Sequence, residues 1–236
     1  MMQIMASELI KMRRKWILFL IILGPLGVVG LEAVNFFLRY DWLTKQYEKD
    51  LWGGLIENVQ ALAVPTLIIG ITIITSMIAN IEHQTNAWKQ LLALPISKVK
   101  VFTGKFALTT FLLFISSTLL GIGTIILGLA LKFGTHIPYG YLVKLIYYPY
   151  LAALIFISLQ IWLSITIKNQ AIPLTIGIVG TVLSLYGGAF PDWVPYKWPT
   201  LINDWNEPLY SVVAGFSLGI LLCICGMVDF VRRDVN

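Results

Sequence analysis

Charged residues, cysteines and histidines are all scarce in this sequence of 236 residues. Asp, Glu, Lys and Arg together make up 12% of the chain, which has two cysteines and two histidines. Zinc sites and Cys- or His-based nucleophiles need several such side chains to converge, and no H-E-x-x-H motif occurs. A G-x-x-x-x-G-K-[ST] phosphate loop is also missing from the sequence, so the chain does not hold ATP by that means. A metal-dependent hydrolase or an ATPase motor is therefore a poor fit, and we expect no catalytic or metal-ligating residue.

Apolar residues make up 58% of the chain, more than a soluble core of this size can cover. Crossing about 30 Å of hydrocarbon takes roughly 20 apolar residues, and continuous runs of that kind recur along the whole length. The runs do not alternate with period two, so they predict helices rather than barrel strands. We expect an all-α, polytopic membrane protein whose residues 1–236 form one transmembrane domain. The six predicted spans are 16–38, 57–79, 106–131, 142–167, 172–190 and 209–230.

Basic residues predict the orientation of these spans. With the N-terminus in the cytoplasm, the inner set is Lys11, Arg13, Arg14, Lys15, Lys89, Lys98, Lys100, Lys105, Lys168, Arg232 and Arg233. The smaller outer set is Arg39, Lys45, Lys49, Lys132, Lys144 and Lys197. This bias favours a multi-pass protein with both termini in the cytoplasm. A signal peptide also begins with basic residues, but the run at 16–38 is longer than its usual apolar region of 7–15 residues.

The connection between the second and third spans is polar and holds an amphipathic pattern. Trp88, Leu91, Leu92 and Pro95 share one side of a helix, and Glu82 lies in its first turn. Such a helix could rest on lipid headgroups with its tryptophan as an anchor. It could equally fill a groove on a cytoplasmic partner. The spacing alone does not separate the two readings. Ser97 is a candidate cap for the helix that follows.

The same segment carries a resemblance to a known family. Residues 82–98 read E-H-Q-T-N-A-W-K-Q-L-L-A-L-P-I-S-K, which resembles the E-x5-W-K-x-L-L-x-L-P-[IV]-S-[RK] segment of permease subunits in type-2 ABC transporters. The lantibiotic-immunity group of small permeases is the most similar. In that family the segment forms a coupling helix between helices 2 and 3 that contacts the ATPase. The resemblance therefore implies an ATPase-coupling set of Glu82, Trp88, Lys89, Leu91, Leu92 and Pro95.

The resemblance also implies partners. The chain would bind no cofactor directly, because ATP and Mg²⁺ belong to a separate cytoplasmic ATPase subunit. A second permease copy or a related permease would complete the pore, and no nucleic acid is involved. In the N-terminal segment, Met5, Leu9, Met12 and Trp16 form an apolar stripe beside a basic cluster, which predicts an in-plane helix. A simple basic anchor for anionic lipid explains the same charges.

Polar residues near the outer ends of the first two spans form a second candidate site. Glu32 and Asn35 lie high in the first span, and Glu57, Asn58 and Gln60 open the second span at the same level. Together they would line an outer vestibule whose carboxylates suit a cationic peptide. Alternatively these groups satisfy one another structurally, or lie in headgroup water.

Three further features are read as packing or anchoring. Gln160 predicts a hydrogen bond between helices, and Gly215 with Gly219 and Gly177 with Gly180 predict close helix contacts, one of which could form a dimer seam. The last outer loop is rich in tryptophan and proline, and tryptophan partitions to the membrane interface. We therefore expect an outer-interface loop containing Trp193, Trp198 and Trp205.

The functional expectation combines these observations. A permease of the bacterial cytoplasmic membrane, driven by a separate ATPase, would expel a lantibiotic-like antimicrobial peptide and so protect the cell. Export of another hydrophobic cargo, such as a drug, a lipid or a signalling peptide, is the alternative within transport. A membrane sensor, an assembly module, or an intramembrane enzyme using Glu32 or Glu57 is the alternative outside it.

Overall fold

The computed structural model describes residues 16–84 and 97–233, and this part of the chain is built from helices without a β-strand. The helices are α1 (Ile17–Leu38), α2 (Tyr40–Gln46), α3 (Leu51–Gln84), α4 (Lys98–Ala130), α5 (Tyr139–Ala152), α6 (Leu154–Thr166), α7 (Ala171–Leu185) and α8 (Pro208–Arg232). Two short 3₁₀ helices, η1 (Gly187–Ala189) and η2 (Pro195–Thr200), lie between α7 and α8. The all-α prediction is confirmed for these residues.

Five helical segments are long and apolar enough to cross a bilayer. They are α1, α3, α4, the consecutive pair α5 and α6, and α8. The span predicted at 172–190 is α7, which has 15 residues and is therefore about 22 Å long, shorter than the hydrocarbon core. The prediction of a multi-pass membrane protein is confirmed, with five long helices by this criterion among the described residues.

The helices extend beyond the apolar runs that predicted them. α3 begins at Leu51 and α4 at Lys98, both well before the predicted starts at 57 and 106. Backbone hydrogen bonding continues through polar residues, whereas the prediction followed hydrophobicity alone. Ser97 caps α4 as predicted, because its hydroxyl accepts the N–H of Lys100 at 3.4 Å.

The predicted fourth span, 142–167, is two helices joined at Ala153. The Ala153 backbone stays close to helical values, with φ −81° and ψ −1°, so the chain kinks there without turning back. Pro149 lies one turn earlier and has no N–H to donate, which weakens the helix at this point.

Three apolar clusters fill the described part of the bundle. We call the end formed by the N-termini of α1 and α4 and the C-termini of α3, α6 and α8 the proximal end, and the opposite end the distal end. The largest cluster runs through the proximal half and middle of the bundle and includes Ile17, Ile78, Phe102 and Phe230. A smaller distal cluster packs Phe36 and Trp52 against residues of α4. The connection 85–96, which lies outside the described residues, therefore starts and ends at the proximal end.

Both predicted glycine faces are used for packing within the chain. A Cβ atom on Gly215 would overlap the backbone carbonyl of Ala152, and one on Gly219 would lie 2.8 Å from the carbonyl carbon of Leu154. Gly177 packs against the side chain of Thr72. A Cβ atom on Gly180 would lie 2.9 Å from the ring of Tyr196. The prediction of close packing is confirmed, but the idea that one of these faces forms a dimer seam is wrong, because α5, α6, α3 and η2 already cover them.

Gln160 makes the contact between helices that the sequence predicted. With its amide oriented so that the nitrogen faces Pro173, it donates to the Pro173 carbonyl at 3.3 Å and accepts from the Gly177 N–H at 3.1 Å. The side chain is buried, so these bonds join α6 to the backbone of α7.

Candidate coupling site at the proximal end

A buried ion pair joins α3 to α4 at the proximal end. Glu82 lies two residues before the end of α3, and Lys105 lies in the second turn of α4. The Nζ of Lys105 is 2.8 Å from the Oε1 of Glu82, and the two side chains are 2% and 0% exposed. These helices are the ones that the connection 85–96 links, so the pair bridges the base of that connection.

The neighbouring residue of α3 contacts α6. The Nε2 of His83 is 3.0 Å from the carbonyl oxygen of Ser164. Gln170 donates to the same carbonyl at 2.9 Å and to the carbonyl of Ile167 at 2.8 Å. The last carbonyls of a helix have no partner within it, so these side chains satisfy the end of α6 and connect it to α3.

On the other side of the connection, α4 begins with a contact to α8. The Nζ of Lys98 donates to the carbonyl oxygens of Arg233 at 2.7 Å and Val231 at 3.2 Å. An ammonium group at the C-terminus of a helix is favoured by the free carbonyls and by the helix dipole. The rings of Phe102 and Phe230, with centroids 6.1 Å apart, add an apolar contact between the same two helices.

A carboxylate near the end of α8 adds a further contact between helices at the proximal end. The Oδ2 of Asp229 accepts the indole N–H of Trp162 in α6 at 2.9 Å and the Nε–H of Arg233 at 2.8 Å. The proximal ends of α3, α4, α6 and α8 are therefore joined by side-chain contacts around the base of residues 85–96. Such an arrangement can pass a displacement of that connection into several helices.

The structure describes one member of the predicted coupling set. Glu82 lies inside the bundle, where it faces α4. The other members lie outside the described residues, namely Trp88, Lys89, Leu91, Leu92 and Pro95. Sequence reasoning did not select Lys105, Trp162 or Asp229 as site residues. The sequence did contain a signal for the ion pair. Lys105 stands at the start of one apolar run, and Glu82 follows the end of the run before it.

The five predicted vestibule residues do not share one cavity. Asn35 donates to the Oε2 of Glu32 at 3.1 Å within α1, and Glu32 is 4% exposed. Asn58 donates to the hydroxyl of Tyr47 at 3.1 Å and to the carbonyl of Gly54, and Gln60 reaches the carbonyl of Thr200 at 3.4 Å. The bond between Asn35 and Glu32 lies within the predicted set, whereas Asn58 and Gln60 bond to residues outside it.

Glu57 is the vestibule residue that faces an open space. It is exposed, and its Oε1 accepts the hydroxyl of Tyr141 at 2.8 Å. It lines a distal groove of about 440 Å³ whose other walls come from the turn between α2 and α3. The lining residues that carry charge are Lys45, Glu48, Lys49, Asp50 and Glu57.

The three tryptophans of the last distal loop differ in their surroundings. Trp193 and Trp205 are 74% and 62% exposed, as expected for side chains at a membrane interface. Trp198 is 4% exposed and packs in the large apolar cluster, so it holds η2 against the bundle.

Asp192 organises this loop. Its Oδ1 is 2.7 Å from the Nζ of Lys197, its Oδ2 accepts the N–H of Asp204, and its carbonyl accepts the indole N–H of Trp198. The hydrogen bond from Lys197, and then that from Asp204, hold the pKa of the Asp192 carboxyl below its ordinary value. The loop therefore keeps a fixed shape over the distal end.

Five helical segments that are long and apolar enough to cross a bilayer indicate a multi-pass membrane protein. The sequence profile of the family described as ABC-2 family transporter protein matches residues 4–184, so the chain belongs to that family. No curated protein matches the sequence significantly. Membership means that the chain is a membrane subunit of an ABC transporter and that a separate ATPase drives it. The type-2 ABC permease resemblance is thereby confirmed at the level of the family.

Proposed function

We propose that this chain is the permease subunit of an ATP-driven exporter in the bacterial cytoplasmic membrane, and that residues 85–96 dock the ATPase as a coupling helix. The observation that carries the proposal is the set of contacts at the proximal end. Glu82 and His83 lie at the end of α3 and Lys98 at the start of α4, so the helices on both sides of the connection are joined to each other, to α6 and to α8. Helices joined in this way would receive any force that a docked ATPase applies to the connection.

The proposed topology has six crossings within one permease domain spanning 1–236. The C-terminus of α6 is proximal, because Ser164 contacts His83, whereas Thr200 in η2 contacts Gln60 near the N-terminus of α3. The chain between these two contacts runs from the proximal to the distal end, and this supports α7 as the sixth crossing. An even number of crossings puts both termini on one side, and the bias of basic residues favours the cytoplasm for that side.

Replacing Trp88 and Leu92 together with alanine should release the ATPase. An aromatic and a leucine at the centre of a docking surface carry much of its binding energy, so we expect the amount of co-purifying ATPase to fall at least tenfold. The measurement is affinity purification of the tagged chain in mild detergent, followed by quantitative mass spectrometry and an ATP hydrolysis assay. Trp193→Ala is the matched control, since that tryptophan is exposed at the distal end.

Two other results would contradict the docking role. Full retention of the ATPase by the double variant would mean that residues 85–96 rest on lipid. A wild-type chain that purifies without any ATPase would favour a membrane sensor or an assembly module over a permease. The level of membrane insertion must be equal in all variants, and this is checked by the yield of extracted protein.

For the cargo, we propose a cationic lantibiotic-like peptide, expelled from the membrane. The support is the resemblance of residues 82–98 to the lantibiotic-immunity permeases and the charge of the distal groove, where the three carboxylates of Glu48, Asp50 and Glu57 outnumber the two lysines, Lys45 and Lys49. The other vestibule residues are Glu32, Asn35, Asn58 and Gln60. They do not form one cluster, so each would contribute to the site from its own hydrogen-bonded position. Trp193 and Trp205 would hold the loop at the outer interface. Export of another hydrophobic cargo uses the same architecture.

Cells that express the permease with its ATPase should survive higher concentrations of a lantibiotic such as nisin. We expect at least a fourfold rise in the inhibitory concentration, because an exporter lowers the peptide concentration in the membrane. The control strain carries the Trp88→Ala and Leu92→Ala variant, which inserts but lacks its motor. If sensitivity to every lantibiotic tested is the same in both strains, the cargo belongs to the alternative class of hydrophobic molecules.

A further inference from the structure

We infer that Glu82 and Lys105 form a rigid link that makes α3 and α4 move together when the ATPase displaces residues 85–96, and that this link carries the movement to the distal end. The inference rests on the proposed function and deepens it. It gives Glu82 a role inside the bundle and assigns Lys105 as a positioning residue. Neither residue is proposed to touch the cargo.

Energetic considerations favour a functional role for this pair. Removing two charges from water costs several kcal/mol for each ion, and their attraction rarely returns more than that cost. Two apolar side chains of similar size would hold α3 against α4 at least as well. Ionisable groups inside a membrane bundle therefore point to function more often than to stability. Both side chains here are almost wholly buried, so this cost applies in full.

The position of the pair supports transmission. Lys105 lies seven residues after the start of α4, which is about 10 Å along the helix axis from Lys98. Glu82 lies just before the connection begins. The pair therefore ties the two helices at the point where they leave the connection, and it is the one ion pair between α3 and α4 among residues 16–84 and 97–233.

An ion pair also restricts motion in a way that an apolar contact does not. Sliding α3 along α4 by a few ångströms would separate the two charges in a medium of low dielectric constant, where attraction is strong. Apolar side chains can exchange neighbours during the same movement at little cost. The contact of His83 with α6 would then extend a joint movement of α3 and α4 to α6.

The test compares two double variants in the complete complex with its ATPase. Glu82→Leu with Lys105→Met removes the charges but keeps the bulk, whereas Glu82→Lys with Lys105→Glu keeps an ion pair with reversed polarity. The background carries Cys223→Ser and Cys225→Ser, and cysteines replace Leu129 at the distal end of α4 and Leu209 at the start of α8. Both positions are exposed, so they accept spin labels. Pulsed electron paramagnetic resonance measures the distance between the labels with and without nucleotide trapped by vanadate.

In the wild-type background we expect nucleotide trapping to shift this distance. The apolar double variant should bind the ATPase and trap nucleotide as well as the wild type does, yet lose most of the shift, and the reversed pair should restore it. A full shift in the apolar variant would overturn the inference, as would no shift in a wild-type complex that holds its ATPase. Absence of the ATPase from the wild-type complex would instead refute the proposed function. If the reversed pair does not fold, the apolar variant decides.

Discussion

Replacing Lys105 alone with methionine should destabilise the protein by about 3–5 kcal/mol, because it removes the ammonium group that is paired with the buried carboxylate of Glu82. The side chain of Glu82 is 0% exposed, so water cannot take the place of the ammonium group unless the helices separate. The loss should appear as a lower midpoint of thermal unfolding in detergent, followed by tryptophan fluorescence. The yield of extracted protein should fall in parallel.

The double variant with Glu82→Leu and Lys105→Met isolates the effect of the unpaired charge on stability when it is compared with the single variant. With both charges removed, the site becomes a contact between two apolar side chains, and most of the lost stability should return. Equal stability of Lys105→Met and the wild type would contradict the prediction, because the buried carboxylate would then not depend on the ammonium group of Lys105. The single variant reports on stability, whereas the two double variants described above report on coupling.

Most of the fold could be predicted from hydrophobicity. The long apolar runs predicted the order of the main helices, five of which are long and apolar enough to cross a bilayer, because lipid leaves a backbone few alternatives to the helix. The starts of α3 and α4 were placed too late in the chain, since both helices begin in residues that precede the predicted apolar run. The break at Ala153 was not predicted, although Pro149 lies one turn before it, because the sequence does not show where Gly215 of α8 approaches the backbone of Ala152.

Less of the candidate site could be predicted. The sequence singled out Glu82, but its partner lies 23 positions away on another helix, and spacing within one helix gives no information on such a pair. The vestibule was predicted from residues at equal depth, yet depth does not fix the direction in which a side chain points. Asn58 and Gln60 are two residues apart on α3 and therefore face different neighbours, Tyr47 and Thr200. Trp198 was read by type as an interface residue, whereas its contacts place it in the core.

Substituting Gly215 with alanine should cost about 1–3 kcal/mol or more, even though alanine is the better helix former. The added Cβ atom would overlap the carbonyl of Ala152, which belongs to the backbone at the kink between α5 and α6 and cannot rotate away. Either α8 moves outward or the kink changes, and both disturb the buried hydrogen bond from Ser158 to the carbonyl of Gly219 at 2.7 Å. Thermal unfolding in detergent measures the loss.

Gly27→Ala is the matched control for this prediction. Gly27 lies in α1, is exposed, and has no atom within 4 Å of the position its Cβ would take. That variant should be as stable as the wild type or gain up to about 1 kcal/mol from helix propensity. Equal effects at the two glycines would show that α8 does not pack on Ala152 as described. A large loss confined to Gly215 would establish that this face of α8 binds the kink between α5 and α6 within one chain, which leaves other surfaces for contact with a second permease.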